Sequence, residues 1–117
     1  MDARRPFRER LTEEQRRSEF CRISSKLTDR VPVIMERGGR DAPLIDKEKF
    51  LVPVDLTVAQ FSFVVRRRLK LAPSESLFLM AGGRLCPSAE TVRSVYETHR
   101  AADGFVYVTY MLENTFG

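Results

Sequence analysis

Residues 55–71 read DLTVAQFSFVVRRRLKL, and the fold turns on what this stretch becomes. Thr57 with Gln60 three residues on is the pattern of a helix capping box, in which each side chain satisfies the other residue's backbone N–H. Val58, Phe61 and Val65, with Val64 and Leu69 alongside, recur at helical spacing and build a wide apolar face. Pro73, in LAPSE, cannot continue a helix. The stretch therefore predicts an amphipathic helix that needs a sheet to bury its inner side. Arg66, Arg67 and Arg68 fall in its last turn, where the helix dipole favours cations; three adjacent residues fan around a helix and do not share one contact.

The segments on either side supply that sheet. RVPVIME (30–36) is rich in β-branched residues and reads as a strand, with Pro32 suggesting a strand start or an exposed edge. RGGRDAP (37–43) is a loop, and KFLVPV (49–54) is a second strand, so the two form a hairpin. Downstream, LFLMA (77–81) is a short buried strand and GGRL (82–85) a turn. SAETVRSVYETH (88–99) is a helix capped by Ser88, with Val92, Val95 and Tyr96 inward, and GFVYVTYM (104–111) alternates as a last strand. Before the hairpin, Thr12 and Gln15 form another capping box, and Phe20, Ile23 and Leu27 make one apolar stripe. RRPFRER adds a short helical turn opened by Pro6.

The expected fold class is α+β: a β-grasp with two N-terminal helices added to a four-stranded mixed sheet. Residues 1–27 form the helical extension and 28–117 the grasp, as one compact domain. The last strand is expected centrally, parallel to the first, though periodicity alone does not give that order. The long helix in mid-chain favours this arrangement over a sandwich.

Composition bounds the function. The chain has 117 residues, 43% apolar and 31% charged, enough for one domain with a real core. No run approaches the roughly 20 apolar residues of a membrane span, and the N-terminus lacks the apolar core of a secretory signal. Cys21 and Cys86 belong to no CxxC or Cys/His cluster and read as free thiols of a reducing compartment. The net charge of +4 permits an acidic partner without choosing one. Nine basic and six acidic groups mix within residues 1–30. The scarcity of interleaved aromatic and basic residues on any strand counts against a nucleic-acid-binding domain, so no nucleic acid is expected as a partner.

No enzyme is expected either. His99 is the only histidine and reads as a helix C-terminal residue. The GxSxG, HExxH and GxxxxGK[ST] motifs are absent, and nothing assembles a nucleophile, a base and an oxyanion donor. No cofactor and no metal ligand set is expected.

RVPVIMER, DKEKFLVPVDLTVAQF, VVRRRLKL, VYETHRAADGFVYVTY and ENTFG together resemble the autophagy ubiquitin-like modifiers, the family of microtubule-associated protein light chain 3 and the GABA-receptor-associated protein. The resemblance runs from about Phe7 to Gly117. It implies a ubiquitin-like fold and an activity without catalysis in this chain. Gly117 would be the glycine activated by an E1-like enzyme, carried as a thioester on an E2-like enzyme and joined to phosphatidylethanolamine. A cysteine protease would trim residues beyond that glycine and later remove the lipid. The chain is expected to carry this glycine already exposed. Localisation would be cytoplasmic, and on the autophagosome membrane once lipidated.

The resemblance also implies capture of aromatic-x-x-aliphatic motifs of cargo receptors and adaptors, the bound peptide adding a strand to a sheet edge. By position, Glu19, Ile23, Pro32, Ile34, Lys49 and Phe105 would form an aromatic pocket. Phe50, Val52, Pro53, Phe61, Val64 and Val65 would form an aliphatic pocket. Lys47 and Arg68 would meet acidic flanks, within a basic rim that also includes Lys49 and Arg66. For Ile23, Phe61, Val64, Val65 and Phe105, plain core packing is the alternative reading. RVPVIME is the candidate edge. Leu11 stands where animal relatives often carry a basic residue, which weakens a microtubule-binding expectation. The rival to conjugation is a ubiquitin-like interaction domain that is never conjugated.

Overall fold

The computed structural model describes residues 5–26 and 28–113. Leu27 and Gly117 lie outside them. The element order is α1 (Phe7–Arg10), α2 (Glu13–Ser24), β1 (Arg30–Arg37), β2 (Lys49–Pro53), α3 (Val58–Leu69), β3 (Leu77–Ala81), β4 (Arg84–Leu85), α4 (Val92–His99) and β5 (Val106–Leu112). The strands form one sheet in the order β2-β1-β5-β3-β4, with β1 and β5 parallel and every other neighbouring pair antiparallel. The last strand thus lies beside the first, as the β-grasp expectation requires. The sheet has five strands rather than four. In the 82–85 segment only Gly82 and Gly83 turn, both at positive φ, and Arg84 and Leu85 pair back onto Ala81 and Met80. Two successive left-handed residues suit a two-residue hairpin turn, which glycine adopts without strain.

α3 forms for the reasons its sequence gives. Both halves of the Thr57–Gln60 capping box are made. Val58, Phe61, Val65 and Leu69 are its buried residues, at the spacing of one helical face. Each such side chain contributes about 1.5–3 kcal/mol on burial. α2 likewise carries the complete Thr12–Gln15 box. α4 differs from expectation: it starts at Val92, and its cap is Thr91, whose hydroxyl accepts from the Ser94 N–H at 3.2 Å. Ser88 is not a cap. Its carbonyl instead accepts from the Ala59 N–H at 3.0 Å, tying the segment to the first turn of α3.

The sheet separates two apolar clusters. Val33, Met35, Phe50, Val52, Val106, Val108, Tyr110 and Leu112 face α3 and α4. Ile34, Phe105 and Tyr107 face the other way, where Phe7 and Ile23 cover them and Leu11 and Phe20 pack alongside. Alternation along β1 and β5 sends neighbouring residues to opposite clusters. β5 is buried on both faces only while the N-terminal helices reach over it; Thr109 and Met111, further along, are half-buried.

Candidate functional site

β2, not β1, is the strand that ends the sheet beside the hairpin. This corrects the reading of RVPVIME as the edge. Pro32 is accommodated for a different reason. The Met35 N–H donates to Glu48 O at 2.7 Å and the Val54 N–H to Asp29 O at 3.0 Å. In an antiparallel ladder bonded and non-bonded pairs alternate, so the Pro32–Leu51 pair is non-bonded. The Pro32 nitrogen therefore points toward β5, and β5 pairs with β1 only from Val33 onward.

The same alternation turns the backbone N–H and C=O groups of Lys49 and Leu51 away from β1. They form the outward face of the sheet edge, with the Leu51 carbonyl also accepting from Arg30 Nη1 at 3.2 Å. Pro53 follows with no N–H to offer. An extended chain laid along β2 would find donors and acceptors at Lys49 and Leu51.

The aromatic-pocket set lies on one side of this edge and the aliphatic set on the other, with the exception of Pro53. On the side of the N-terminal helices, Ile34 and Phe105 are fully buried, Ile23 and Pro32 are buried, and Lys49 is half-exposed. Phe105 meets the rings of Phe7 and Phe20 edge-on, with centroids at 5.3 and 5.8 Å. Glu19 and Lys49 are joined by an ion pair across the gap between α2 and β2, and Arg22 Nη2 reaches the same Glu19 oxygen at 2.7 Å. The bonds from Lys49 and then Arg22 hold the Glu19 carboxyl below its ordinary value, against the opposing effect of burial.

On the α3 side, Phe50, Val52, Phe61 and Val65 belong to the core, and the Phe50 and Phe61 rings meet edge-on at 5.8 Å. Pro53, half-buried, does not join them: the alternation of β2 puts it on the opposite face with Lys49 and Leu51. Val64, 40% exposed, is the member of the set on α3 that faces solvent. Core packing therefore describes Phe61 and Val65 but not Val64. Lys47 and Arg68 both approach the Phe50 ring, at 5.3 and 5.9 Å from its centroid. Arg68 is also paired with Asp46 at 3.1 Å. Arg66 does not join this rim; it donates to the Glu75 and Ala72 carbonyls and fastens the loop after α3.

Two residues escaped the sequence reading. Leu51 is 39% exposed on the edge strand; the signal for it was the strand's period of two, which groups it with Lys49. Asp103 is the buried charged residue among those described, and no local pattern marks it. Gly117 lies outside the described residues. The chain leading to it leaves the sheet at Glu113, whose N–H donates to Ser76 O at 3.0 Å. His99 ends α4 and packs against Gly82. Among the described residues no group of three His, Cys, Asp or Glu side chains is placed to hold a metal ion, and no helix is long and apolar enough to cross a membrane.

A family model described as "Autophagy protein Atg8 ubiquitin like" matches residues 15–117. Autophagy-related protein 8A of Oryza sativa subsp. indica is 47% identical over 116 residues, 98% of each chain. Autophagy-related protein 8a of Arabidopsis thaliana is 50% identical over 105 residues, 89% of this chain and 86% of the relative. The crystal structure of Trypanosoma brucei ATG8 matches the fold with a TM-score of 0.89 at 35% identity and covers 100% of both chains.

Proposed function

The chain belongs to the Atg8 family of ubiquitin-like autophagy proteins, and on that footing we propose that it is a modifier joined through Gly117 to phosphatidylethanolamine, which captures aromatic-x-x-aliphatic motifs of cargo receptors and adaptors along β2. The observation that carries the peptide half is the outward backbone of Lys49 and Leu51, set between the two apolar residue groups. Strand addition to such an edge supplies main-chain hydrogen bonds, and the flanking side chains select the anchors. The lysines and arginines around it suit acidic flanks.

For conjugation, support comes from residue type and from a family match that extends through Gly117. Glycine has no Cβ beside the reacting carbonyl, so a narrow enzyme channel admits it. The E1-like and E2-like enzymes would do the activation and transfer, a cysteine protease the trimming and release, and this chain no turnover of its own. A diacyl lipid brings two chains, which anchor stably where one binds only marginally. The protein would then divide between cytoplasm and autophagosome membrane.

The test is a reconstituted conjugation reaction read by mass. The wild type should gain the mass of phosphatidylethanolamine, and Gly117→Ala should gain little or none while keeping its fold; equal lipidation of both overturns the reading. The peptide half is tested separately by calorimetry. Leu51→Pro removes one outward N–H and leaves the β1 ladder untouched. It should weaken an aromatic-x-x-aliphatic peptide about tenfold, or about 1.4 kcal/mol. A non-conjugated interaction domain would bind the peptide and gain no mass.

A further inference from the structure

The carboxylate of Asp103 sits buried at the junction of α2 with the start of β5. Its Oδ2 accepts from Arg16 Nε at 2.8 Å and from the Tyr107 hydroxyl at 2.5 Å, and its Oδ1 from the Phe105 N–H at 2.9 Å. A buried charge is tolerated only when so satisfied, and an apolar replacement for a buried ion pair is often no less stable. Stability alone therefore gives weak grounds for keeping it.

Its surroundings give a stronger one. The inward residues of α2 at 16, 20 and 23 meet Asp103, Gly104 and Phe105 in succession. Arg16 takes the carboxylate. Phe20 closes onto Gly104, where φ is 100° and an added Cβ would lie 2.4 Å from the ring. Phe20 also meets Phe105 edge-on, and Ile23 shares the Phe105 cluster. The 103–105 segment is meanwhile anchored to the sheet side of the molecule. The Tyr96 hydroxyl of α4 donates to Gly104 O at 2.6 Å, and the Ala101 N–H to Phe105 O at 2.7 Å. Of the residues assigned to the aromatic pocket, Glu19 and Ile23 ride on α2 and Phe105 rides on this fixed segment.

We propose that Asp103 is a positioning residue for the aromatic pocket: by holding Arg16 and the Phe105 N–H in one clamp it sets the distance between α2 and the start of β5, and so which aromatic ring the pocket admits. The proposal rests on the peptide-binding reading of the β2 edge. Arg16 strengthens the clamp by donating also to the Leu11 and Arg8 carbonyls, at 2.8 and 3.2 Å, which carries α1 along with α2.

The experiment uses the full chain as wild type, Asp103→Asn and Tyr107→Phe. Three peptides with identical acidic flanks carry Trp, Phe or Ala at the aromatic position. Asp103→Asn should change the ratio of the Trp and Phe dissociation constants fivefold or more, while the Ala peptide moves less than twofold. Tyr107→Phe, which leaves the Arg16 contact in place, should change the ratio less. In parallel, amide exchange in α2 should quicken tenfold or more in Asp103→Asn, with α4 unchanged. An unmoved Trp-to-Phe ratio, or an equal loss for all three peptides, overturns the positioning role while leaving the peptide site standing. Unchanged α2 exchange overturns the clamp itself. A wild type that binds none of the peptides overturns the site reading, and the role of Asp103 with it.

Discussion

At Cys86, burial pushes the thiol up to about 11, with Glu90 adding to the effect. Thiolate, not thiol, is the nucleophile, so such a group is chemically quiet at neutral pH. Cys21 lies exposed on α2. Iodoacetamide at neutral pH should therefore alkylate Cys21 well before Cys86, and peptide mass mapping over time would show the order. Preferential modification of Cys86 would mean that its environment opens in solution. The same scale explains why the residues proposed for the aliphatic pocket divide as they do. Phe61 and Val65 point from α3 into the core, whereas Val64 is turned outward by one residue's rotation, about 100° around the helix. One step along the helix thus separates a core side chain from a solvent-facing one.

At the scale of elements, the alternation along β2 makes a sharp prediction. The amides of Phe50 and Val52 face β1 and those of Lys49 and Leu51 face out, so hydrogen exchange should be slow at 50 and 52 and fast at 49 and 51. Adding an aromatic-x-x-aliphatic peptide should slow 49 and 51 selectively; slowing spread evenly over α3 instead would place the ligand elsewhere. Elements marked by local chemistry were legible in the sequence: the capping boxes at Thr12 and Thr57 announced α2 and α3, and Leu77–Ala81 stood out as a strand. What was not legible depended on partners distant in sequence. Whether β1 or β2 forms the edge is decided by β5, which arrives some 70 residues later and lies against β1. Ser88 and Thr91 are both plausible caps by residue type, and the pairing of Thr91 with Thr57 fixes which one begins α4. Arg84 and Leu85 are the exception: their partners Ala81 and Met80 are near in the chain, and a two-residue strand is too short to show a period. Arg16 and Asp103 are 87 residues apart, and each alone reads as a surface charge. The candidate site followed the same division: its residues came from a family resemblance, and only their sides of the edge came from strand parity.

At the scale of the whole molecule, the N-terminal helices are tied to the sheet by charge as well as by the apolar cluster around Phe7, Ile23 and Phe105. Arg8 pairs with Glu36 at 2.7 Å and lies over the Tyr107 ring, Arg10 pairs with Glu48, and Arg16 with Asp103. Burial alone would raise the Asp103 carboxyl, but the bonds from Tyr107, Arg16 and the Phe105 N–H outweigh it and the net shift is downward. Glu19 is shifted downward too. A carboxyl whose folded value lies below its unfolded one stabilises the fold above the unfolded value, about 4 for these residue types. That stability is lost as pH falls through the lowered folded value. Urea midpoints should hold steady from neutral pH to about 5 and then drop, and the drop should be smaller for Asp103→Asn; an identical pH profile would exclude Asp103 as a source of the acid loss. The short edge has a consequence for crowding. A protein concentrated on a surface with an open strand risks pairing with its own copies, the first step of aggregation. Here the hazard is curtailed: only Lys49 and Leu51 offer outward donors, Pro53 ends the run, the Arg30 guanidinium already leans on the Leu51 carbonyl, and Lys47 and Lys49 repel a second basic edge. An incoming acidic peptide would meet the opposite sign, so the strand proposed to recruit partners is at the same time a poor template for polymerising itself.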